Sequence, residues 1–202
     1  MRKLTVLCLA LLLSGCTSIH VVRDPGATED ASASGFRGVR MVTYTQNAFA
    51  PTGLFWREES AYRAEYAGQA LRESGFFNEV HQVSAPPPAG LHLQIETSVS
   101  ARHGWSGKLF NGILSLATVG LVPYRVPQGY AHDVTVYREG RVIQRRTYAQ
   151  QSIVYNGVLL GFLTAWLPGE NPELATARQT RDLIERVLGD IQRTGVLREP
   201  LP

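Results

Sequence analysis

The chain has 202 residues, of which 44% are hydrophobic and 18% are charged, and its formal net charge is +3. Arg2 and Lys3 account for most of the positive excess, and without them 18 basic residues oppose 17 acidic ones. A nearly neutral chain lacks the electrostatic footprint of a nucleic-acid-binding protein, so we expect no nucleic-acid partner. The roughly 165 residues after position 36 are enough for one two-layer core without disulfides.

The amino terminus has the order of an export signal, because a basic pair at positions 2–3 precedes an uncharged run that continues to Leu13. The residues LSGC at positions 13–16 resemble the lipobox of bacterial lipoproteins, in which the cysteine is acylated and becomes the first residue. We therefore predict a lipoprotein signal peptide over residues 1–15 and lipidation of Cys16, palmitate included. The alternative is an ordinary signal followed by a chance cysteine.

The lipoprotein resemblance also bears on location. An aspartate after the acylated cysteine commonly marks retention in the inner membrane, whereas this chain has Thr17 and Ser18 there. The resemblance therefore implies the outer membrane, facing the periplasm. Acyl chains bury methylenes at about 0.8 kcal/mol each and stable attachment needs more than one chain, which a triacylated Cys16 would provide.

The mature chain divides by composition into a tether and a domain. Residues 16–35 are mostly small and polar, a composition that cannot bury enough apolar area to fold alone, so we predict a lipidated flexible tether. We predict a single α/β domain over residues 36–197 and a short tail over residues 198–202. Cys8 leaves with the signal peptide, so no intramolecular disulfide is possible in the mature chain.

The domain begins with a predicted strand and helix. Residues 38–45 are β-branched and aromatic enough for a first strand. Residues 57–75 have helical spacing of apolar side chains, and Gly75 is a natural stop. The side chains predicted to pack in the core from this helix are Tyr62, Tyr66, Ala67, Ala70 and Leu71.

Three strands and a second helix complete the predicted pattern after a short strand at residues 76–83. Residues 91–99 alternate strictly between apolar and polar, which indicates a half-buried strand. A second alternation around residues 130–136 leads through Glu139 and Gly140 into residues 142–155, which is typical of a hairpin. The last helix is predicted to start at Asn171 and Pro172 and to end near Gly195. Its predicted inner face consists of Leu183, Ile184, Val187, Leu188 and Ile191.

The element order β-α-β-β-β-β-α predicts an α+β fold. We expect a two-layer sandwich, in which about five strands form a mixed or antiparallel sheet and both helices lie on one face. The lipobox, the string ALRESGFFNEV and the strand LHLQIE are similar to patterns in small envelope lipoproteins. They resemble the lipopolysaccharide-assembly lipoprotein and the auxiliary lipoproteins of lipid-transporting ABC systems. That resemblance implies binding of a partner or a lipid without catalysis.

Two apolar segments interrupt this pattern, at residues 109–124 and 157–168. Neither has the roughly 20 apolar residues that a transmembrane helix needs. If the first three strands run up, up and down, both segments emerge at the end of the sheet where the first strand begins. We therefore predict two apolar inserts at one end, on the same side as the lipid anchor.

The inserts either cover the open part of the sheet or present side chains to a membrane or partner. An exposed apolar patch usually marks such a contact, and aromatic or cationic flanks favour the headgroup zone. The predicted contact residues are Phe110, Ile113, Leu114, Leu116, Leu121, Phe162 and Trp166, and the predicted interfacial anchors are Trp105, Lys108, Tyr124 and Arg125.

The sequence offers no convincing catalytic or metal-binding constellation. The histidines lack a second ligand at helical or turn spacing, so we predict no metal and no cofactor. The fragment GWSGKL at residues 104–109 misses both the nucleophile elbow and the phosphate loop. We expect His92 and His132 to occupy ordinary strand positions, with their ring nitrogens satisfied by neighbours or water.

The resulting hypothesis is a non-enzymatic, lipid-anchored envelope protein that docks on the membrane or on an integral envelope protein through its two apolar segments. A lipid or glycolipid carrier, with the segments lining a pocket, is the first alternative. A hydrolase of envelope polymers is the second.

Overall fold

The computed structural model describes residues 16–22, 41–49, 56–101, 113, 124–157 and 172–195. Within these ranges the chain forms six strands and two long helices. The strands are β1 (Cys16–Val22), β2 (Met41–Phe49), β3 (Glu79–Gln82), β4 (Leu91–Ala101), β5 (Tyr124–Arg138) and β6 (Arg141–Gly157), and the helices are α1 (Trp56–Glu73) and α2 (Pro172–Thr194).

The strands form one sheet in the order β1-β6-β5-β4-β2-β3. The fold is α+β with a mixed sheet and two helices, and from β2 onward the elements follow the predicted order β-α-β-β-β-β-α. The sixth strand, β1, is additional to the five that were predicted.

The chain divides into two compact units, and each is assembled from separated segments. The first unit contains Met1–Val22, Ser100–Gly129 and Gln151–Ala175. The second unit contains Arg23–Val99, Tyr130–Gln150 and Thr176–Pro202. The division into tether, single domain and tail stays a prediction.

The core of the second unit lies between the sheet and the two helices. The predicted inner face of α2 is confirmed, because its five apolar side chains are each at most 1% exposed. Burial of a leucine, isoleucine or valine side chain stabilises by roughly 1.5–3 kcal/mol, so this stripe is a major part of the packing. It meets a sheet surface formed by Val42, Leu91, Leu93, Ile95, Val134 and Val136.

Helix α1 packs on the sheet through Ala67, Ala70 and Leu71 as predicted, and Tyr62 is the exception. Ala67 and Leu71 are fully buried as expected, but Tyr62 is 45% exposed. The buried face also includes Ala64 and Gly68, and the Tyr44 ring of β2 lies directly beneath the helix at Gly68. The Tyr44 hydroxyl donates a hydrogen bond of 2.9 Å to the carbonyl of Ala64.

Polar contacts fix α2 onto β6 and onto α1. Asp190 accepts hydrogen bonds from Arg146 at 2.8 Å and from the Tyr148 hydroxyl at 2.9 Å. Burial and the Asp190 carboxylate raise the pKa of Tyr148, so its hydroxyl remains a donor. Arg181 of α2 forms an ion pair with Glu73 of α1.

The turns and helix ends agree with the sequence. Glu139 and Gly140 both have positive φ, 50° and 72°, as a two-residue type I′ hairpin turn between β5 and β6 requires. Helix α1 ends at Glu73 and Gly75 follows with φ of 70°, while Gly195 with φ of 66° follows the last residue of α2. These glycines adopt the left-handed conformation common after helices.

The predicted direction of β4 is wrong. β4 pairs with β2 in parallel, from Val42 opposite Leu91 to Phe49 opposite Ser98, and β3 pairs with β2 in parallel on the other side. β3 has only four residues, so its length is short compared with the reach of the Pro-rich connection, residues 83–90. This connection can therefore cross β2 and return to the end of the sheet where β2 starts, so that β4 begins opposite Val42. The segment that follows β4 therefore leaves where β2 finishes and not where it starts.

The structure also places the start of the predicted tether in the sheet. Residues 16–22 form β1 and pair in antiparallel fashion with the last seven residues of β6. The composition of residues 16–35 as a whole is polar, but Ile19, Val21 and Val22 are β-branched residues that favour a strand. An unpaired edge of β6 gives this short stretch the backbone partners that it cannot provide for itself.

Gly68→Ala tests the close approach of α1 to the sheet. Alanine normally stabilises a helix interior by up to about 1 kcal/mol relative to glycine, but a Cβ at position 68 would overlap the hydroxyl of Tyr44. Overpacking costs roughly 1–3 kcal/mol, so we expect net destabilisation in urea unfolding. Tyr44→Phe should recover part of the loss in the double variant, and Glu65→Ala on the exposed side of α1 is the control. A more stable Gly68→Ala protein would contradict the packing.

Candidate functional site

The end of the sheet that contains Cys16 is the first candidate site, and it lies in the first unit. The β1–β6 ladder begins with Cys16 opposite Gly157 and ends with Val22 opposite Gln151. Partners in an antiparallel ladder have Cα atoms roughly 4.5–5.5 Å apart. Cys16 is therefore fixed beside the residue at which the second predicted apolar segment begins.

The first apolar segment is bounded by strand ends at the same place. Glu139 donates its backbone N–H to the carbonyl of Gly90 at 3.0 Å, and the Ser98 hydroxyl donates to the carbonyl of Ala131 at 3.4 Å. From Gly90 to Ser98 the residue numbers rise toward and along β4, while those of their partners fall from Glu139 to Ala131. β4 and β5 are therefore antiparallel. The end of β4 thus lies at the start of β5, which forms a hairpin with β6.

The four strand termini Ala101, Tyr124, Gly157 and Cys16 consequently share one end of the sheet. This placement agrees with the expected convergence but for a different reason. We predicted that the tether would bring the anchor to the start of the first domain strand. In the structure, β1 runs antiparallel to β6, so Cys16 lies at the end of the sheet where β4 and β6 finish.

The predicted contact residues lie largely beyond what the structure describes. Ile113 is described, is helical and is 59% exposed. Tyr124 and Arg125 are the first residues of β5. The remaining predicted positions lie outside the described residues: Trp105, Lys108, Phe110, Leu114, Leu116, Leu121, Phe162 and Trp166.

A buried polar row in the second unit is the other feature that could hold chemistry. The His132 ring lies between two partners, with Nδ1 2.9 Å from the Thr97 hydroxyl and Nε2 3.0 Å from Gln150 Oε1. Gln150 Nε2 in turn donates to the carbonyl of Gln179 at 3.0 Å. These contacts connect β4, β5, β6 and α2.

The partners of His132 determine its tautomer. Gln150 uses its amide nitrogen toward Gln179, so its Oε1 can only accept, and His132 Nε2 is the atom that carries the proton. Nδ1 then accepts from the Thr97 hydroxyl. Burial, followed by the nearby Arg63 charge, lowers the pKa of His132 to about 3. The ring is therefore neutral at neutral pH.

Arg63 lies beside this row from α1, although its side chain is only 1% exposed. Its Nη2 donates to Gln179 Oε1 at 3.1 Å, and its guanidinium carbon lies 4.8 Å from the centre of the Tyr130 ring. The Tyr130 ring also stacks on His132, with centroids 6.2 Å apart. An amide oxygen and an aromatic face thus partly replace the water that the guanidinium loses.

This row is not arranged for catalysis. Thr97 and His132 are 0% and 1% exposed, so a substrate cannot reach them. A general base works best with a pKa near the working pH, whereas that of His132 is about 3. The row joins strands to helices and leaves the imidazole fully hydrogen-bonded.

His92 forms a smaller cluster on the face of the sheet that points away from the helices. Its two ring nitrogens lie 2.9 Å from the Thr43 hydroxyl and 3.1 Å from the Thr45 hydroxyl. Burial lowers its pKa as well. His92 and His132 therefore occupy strand positions with neighbouring side chains as partners, as the sequence predicted.

Sequence reasoning missed the polar row. Gln150 and its partner Gln179 are 29 residues apart in the sequence. Gln179 and its partner Arg63 are 116 residues apart. The available signal was the replacement of apolar by polar side chains at inward positions of alternating strands, as at Thr97 after Ile95. That signal marks a change inside the core but does not identify the partners.

The described part of the chain holds neither a metal-ligand cluster nor a membrane-crossing helix. No three His, Cys, Asp or Glu side chains come together there as metal ligands would. No helix in these ranges combines the length and apolar content that crossing a bilayer requires.

No protein-family model matches the sequence, and no curated protein matches it. Among solved structures, the PelC dodecamer from Paraburkholderia phytofirmans is 12% identical with a TM-score of 0.35, over 87% of this chain and 97% of that one. A DUF330 protein from Xanthomonas campestris is 11% identical with a TM-score of 0.36, over 77% and 88%. Rare lipoprotein B from Shewanella oneidensis is 12% identical with a TM-score of 0.28, over 79% and 92%. With TM-scores below 0.5, none of these likenesses indicates a function for this chain.

The burial of neutral His132 predicts acid sensitivity. Its folded pKa of about 3 lies below the ordinary value of 6.5, so stability is present above pH 6.5 and is lost as the pH falls toward 3. Each tenfold change in a proton-binding constant corresponds to about 1.4 kcal/mol, so His132 should remove about 3 kcal/mol from the free energy of unfolding between pH 7 and pH 4. The measurement is urea unfolding across this range.

His132→Phe should flatten this pH dependence whatever it does to stability at pH 7. His81→Asn, at a histidine whose side chain is 58% exposed, is the matched control and should leave the slope unchanged. An unchanged slope in His132→Phe would contradict the buried neutral imidazole.

Proposed function

We propose that this chain is a non-enzymatic lipoprotein of the bacterial envelope, acylated at Cys16, that docks on the lipid of the membrane through the end of the sheet at Cys16. The observation that carries the proposal is the register that places Cys16 opposite Gly157. It brings the lipobox cysteine to the end where the segments 102–123 and 158–171 join their strands.

The chemistry of this end supports a membrane contact. The proposed acyl chains of Cys16 would hold this end of the sheet at the bilayer, where apolar side chains beside them can insert among the lipids. Ile113, in the first apolar segment, is 59% exposed. An exposed isoleucine on a segment without charge from residue 109 to residue 124 is suited to contact with acyl chains.

The second unit supports the non-enzymatic part of the proposal. The described histidines with lowered pKa values, His92 and His132, are both closed from solvent and are held by threonine or glutamine side chains. Their roles are accounted for by packing. The outer membrane, facing the periplasm, is the location that Thr17 and Ser18 favour in the lipobox resemblance.

Vesicle binding of the chain without its lipid tests the docking surface. The Cys16→Ala protein lacking its signal should still associate weakly with phospholipid vesicles in flotation, because the apolar segments remain. Leu114→Asp and Phe162→Asp should each weaken this binding at least tenfold, because each replaces an isopropyl group or a phenyl ring by a carboxylate, and a charge opposes insertion into the bilayer.

Val142→Asp is the matched control. Val142 is an exposed apolar residue, at 57%, beside the hairpin turn and at the opposite end of β6 from Gly157, so its substitution should leave vesicle binding unchanged. If the Cys16→Ala protein remains entirely in the aqueous fraction, and Leu114→Asp and Phe162→Asp behave like Val142→Asp, membrane docking through this end is wrong. Mass spectrometry of the mature protein tests acylation of Cys16 separately.

A further inference from the structure

The lipidation site and the first strand begin at the same residue. β1 starts at Cys16, and all of its seven residues have partners on β6. A lipoprotein whose acylated residue is followed by a free tether would have flexible chain between lipid and domain. In this structure no residue separates Cys16 from the ladder.

The two arrangements hold the domain at very different distances from its lipid. A flexible tether of about 20 residues has a root-mean-square length of roughly 25 Å and a fully extended reach of about 70 Å. The ladder instead holds the Cα of Cys16 about 5 Å from the Cα of Gly157. The position of the domain relative to its lipid therefore depends on whether β1 is paired.

The neighbouring strands extend this constraint across the first unit. Adjacent strands lie about 4.8 Å apart, so β6 and β5 pass within about 10 Å of β1. The strand termini Gly157 and Tyr124 lie at the end that contains Cys16. The headgroup region of a bilayer leaflet is only about 5–8 Å deep, so an acyl chain inserted from Cys16 leaves these termini next to the lipid surface.

We propose that β1 is an anchor strand, which holds the sheet end flush against the phospholipid leaflet. Residues 23–40 then connect β1 to β2 and do not act as a flexible tether between lipid and domain. The occupant of the sheet end is the leaflet into which the acyl chains of Cys16 insert. This inference rests on the proposed acylation of Cys16, and it adds the distance and orientation at which the domain is held.

Two insertions, one before β1 and one after it, distinguish an anchor strand from a flexible tether. The lipidated protein, with Gln151→Cys as its single free thiol, carries a fluorescent donor and is placed in phosphatidylethanolamine and phosphatidylglycerol vesicles with a headgroup acceptor. Gln151 is exposed and pairs with Val22 at the far end of β1, about 20 Å along the strand from Gly157. Energy transfer then reports the distance between the domain and the leaflet.

A twelve-residue Gly-Ser insertion between Cys16 and Thr17 should lower energy transfer clearly, because it adds a flexible length of roughly 20 Å between lipid and ladder. The same insertion between Glu29 and Asp30 should leave energy transfer unchanged, since the ladder keeps Cys16 in place. Equal loss in both variants would overturn the anchor strand, and so would no loss in the first variant.

A cross-link tests the ladder itself. Ser18 and Tyr155 are partners in the register, so the cysteine pair Ser18→Cys and Tyr155→Cys has a Cα separation within the range of a disulfide. Ser18→Cys with Gln151→Cys is the mismatched control, four residues out of register. A cross-link in the membrane-bound protein with the first pair alone is expected, and its absence would overturn the proposal.

The two levels of the proposal fail in different ways. An unacylated Cys16 in the mature protein would remove both the proposed function and the anchor strand. Acylation together with equal loss of energy transfer in the two insertions would leave the lipoprotein in place and overturn the flush arrangement alone.

Discussion

The pairing of β1 with β6 is the constraint on which the candidate site depends. Seven backbone pairs convert a stretch that looks like a tether into an edge strand, and they bring Cys16 beside Gly157. Without this ladder the lipobox would be connected to the rest of the chain only through residues 23–40. With it, the predicted acylation site Cys16 and the strand ends that lead into the apolar segments lie in one compact unit.

The second unit is held together by two kinds of contact. The apolar stripe of α2 and the small residues of α1 cover the aliphatic part of the sheet. Nearby, inward positions become polar, and Thr97, His132 and Gln150 form a chain of hydrogen bonds that reaches α2. A buried polar group is tolerated when it is hydrogen-bonded. The row therefore adds specificity to the packing of helices on strands, with a neutral imidazole at its centre.

The sequence predicted the parts of the fold that local chemistry controls. The alternation in β4, the two-residue turn at Glu139 and Gly140, the stops at Gly75 and Gly195 and the apolar stripe of α2 all appear as expected. Long-range choices were missed. The direction of β4 depends on how a short Pro-rich connection crosses β2, and the close approach of α1 to the sheet depends on the Tyr44 ring beneath Gly68. Nothing in the local sequence of α1 encodes the place of that ring.

The candidate site divides in the same way. The amino-acid sequence by itself predicted an export signal that ends at a lipobox-like cysteine. It also determined that two uncharged segments are shorter than the roughly 20 apolar residues of a membrane-spanning helix, and that the elements suit an α+β sheet. These are properties of composition and spacing along the chain. Only the tertiary structure decided that Cys16 starts a strand, that this strand lies on β6, and that His132 meets Thr97 and Gln150. The reason is physical: strand pairing and buried hydrogen bonds join residues far apart in sequence, and their free energy depends on neighbours that exist only once the sheet has formed.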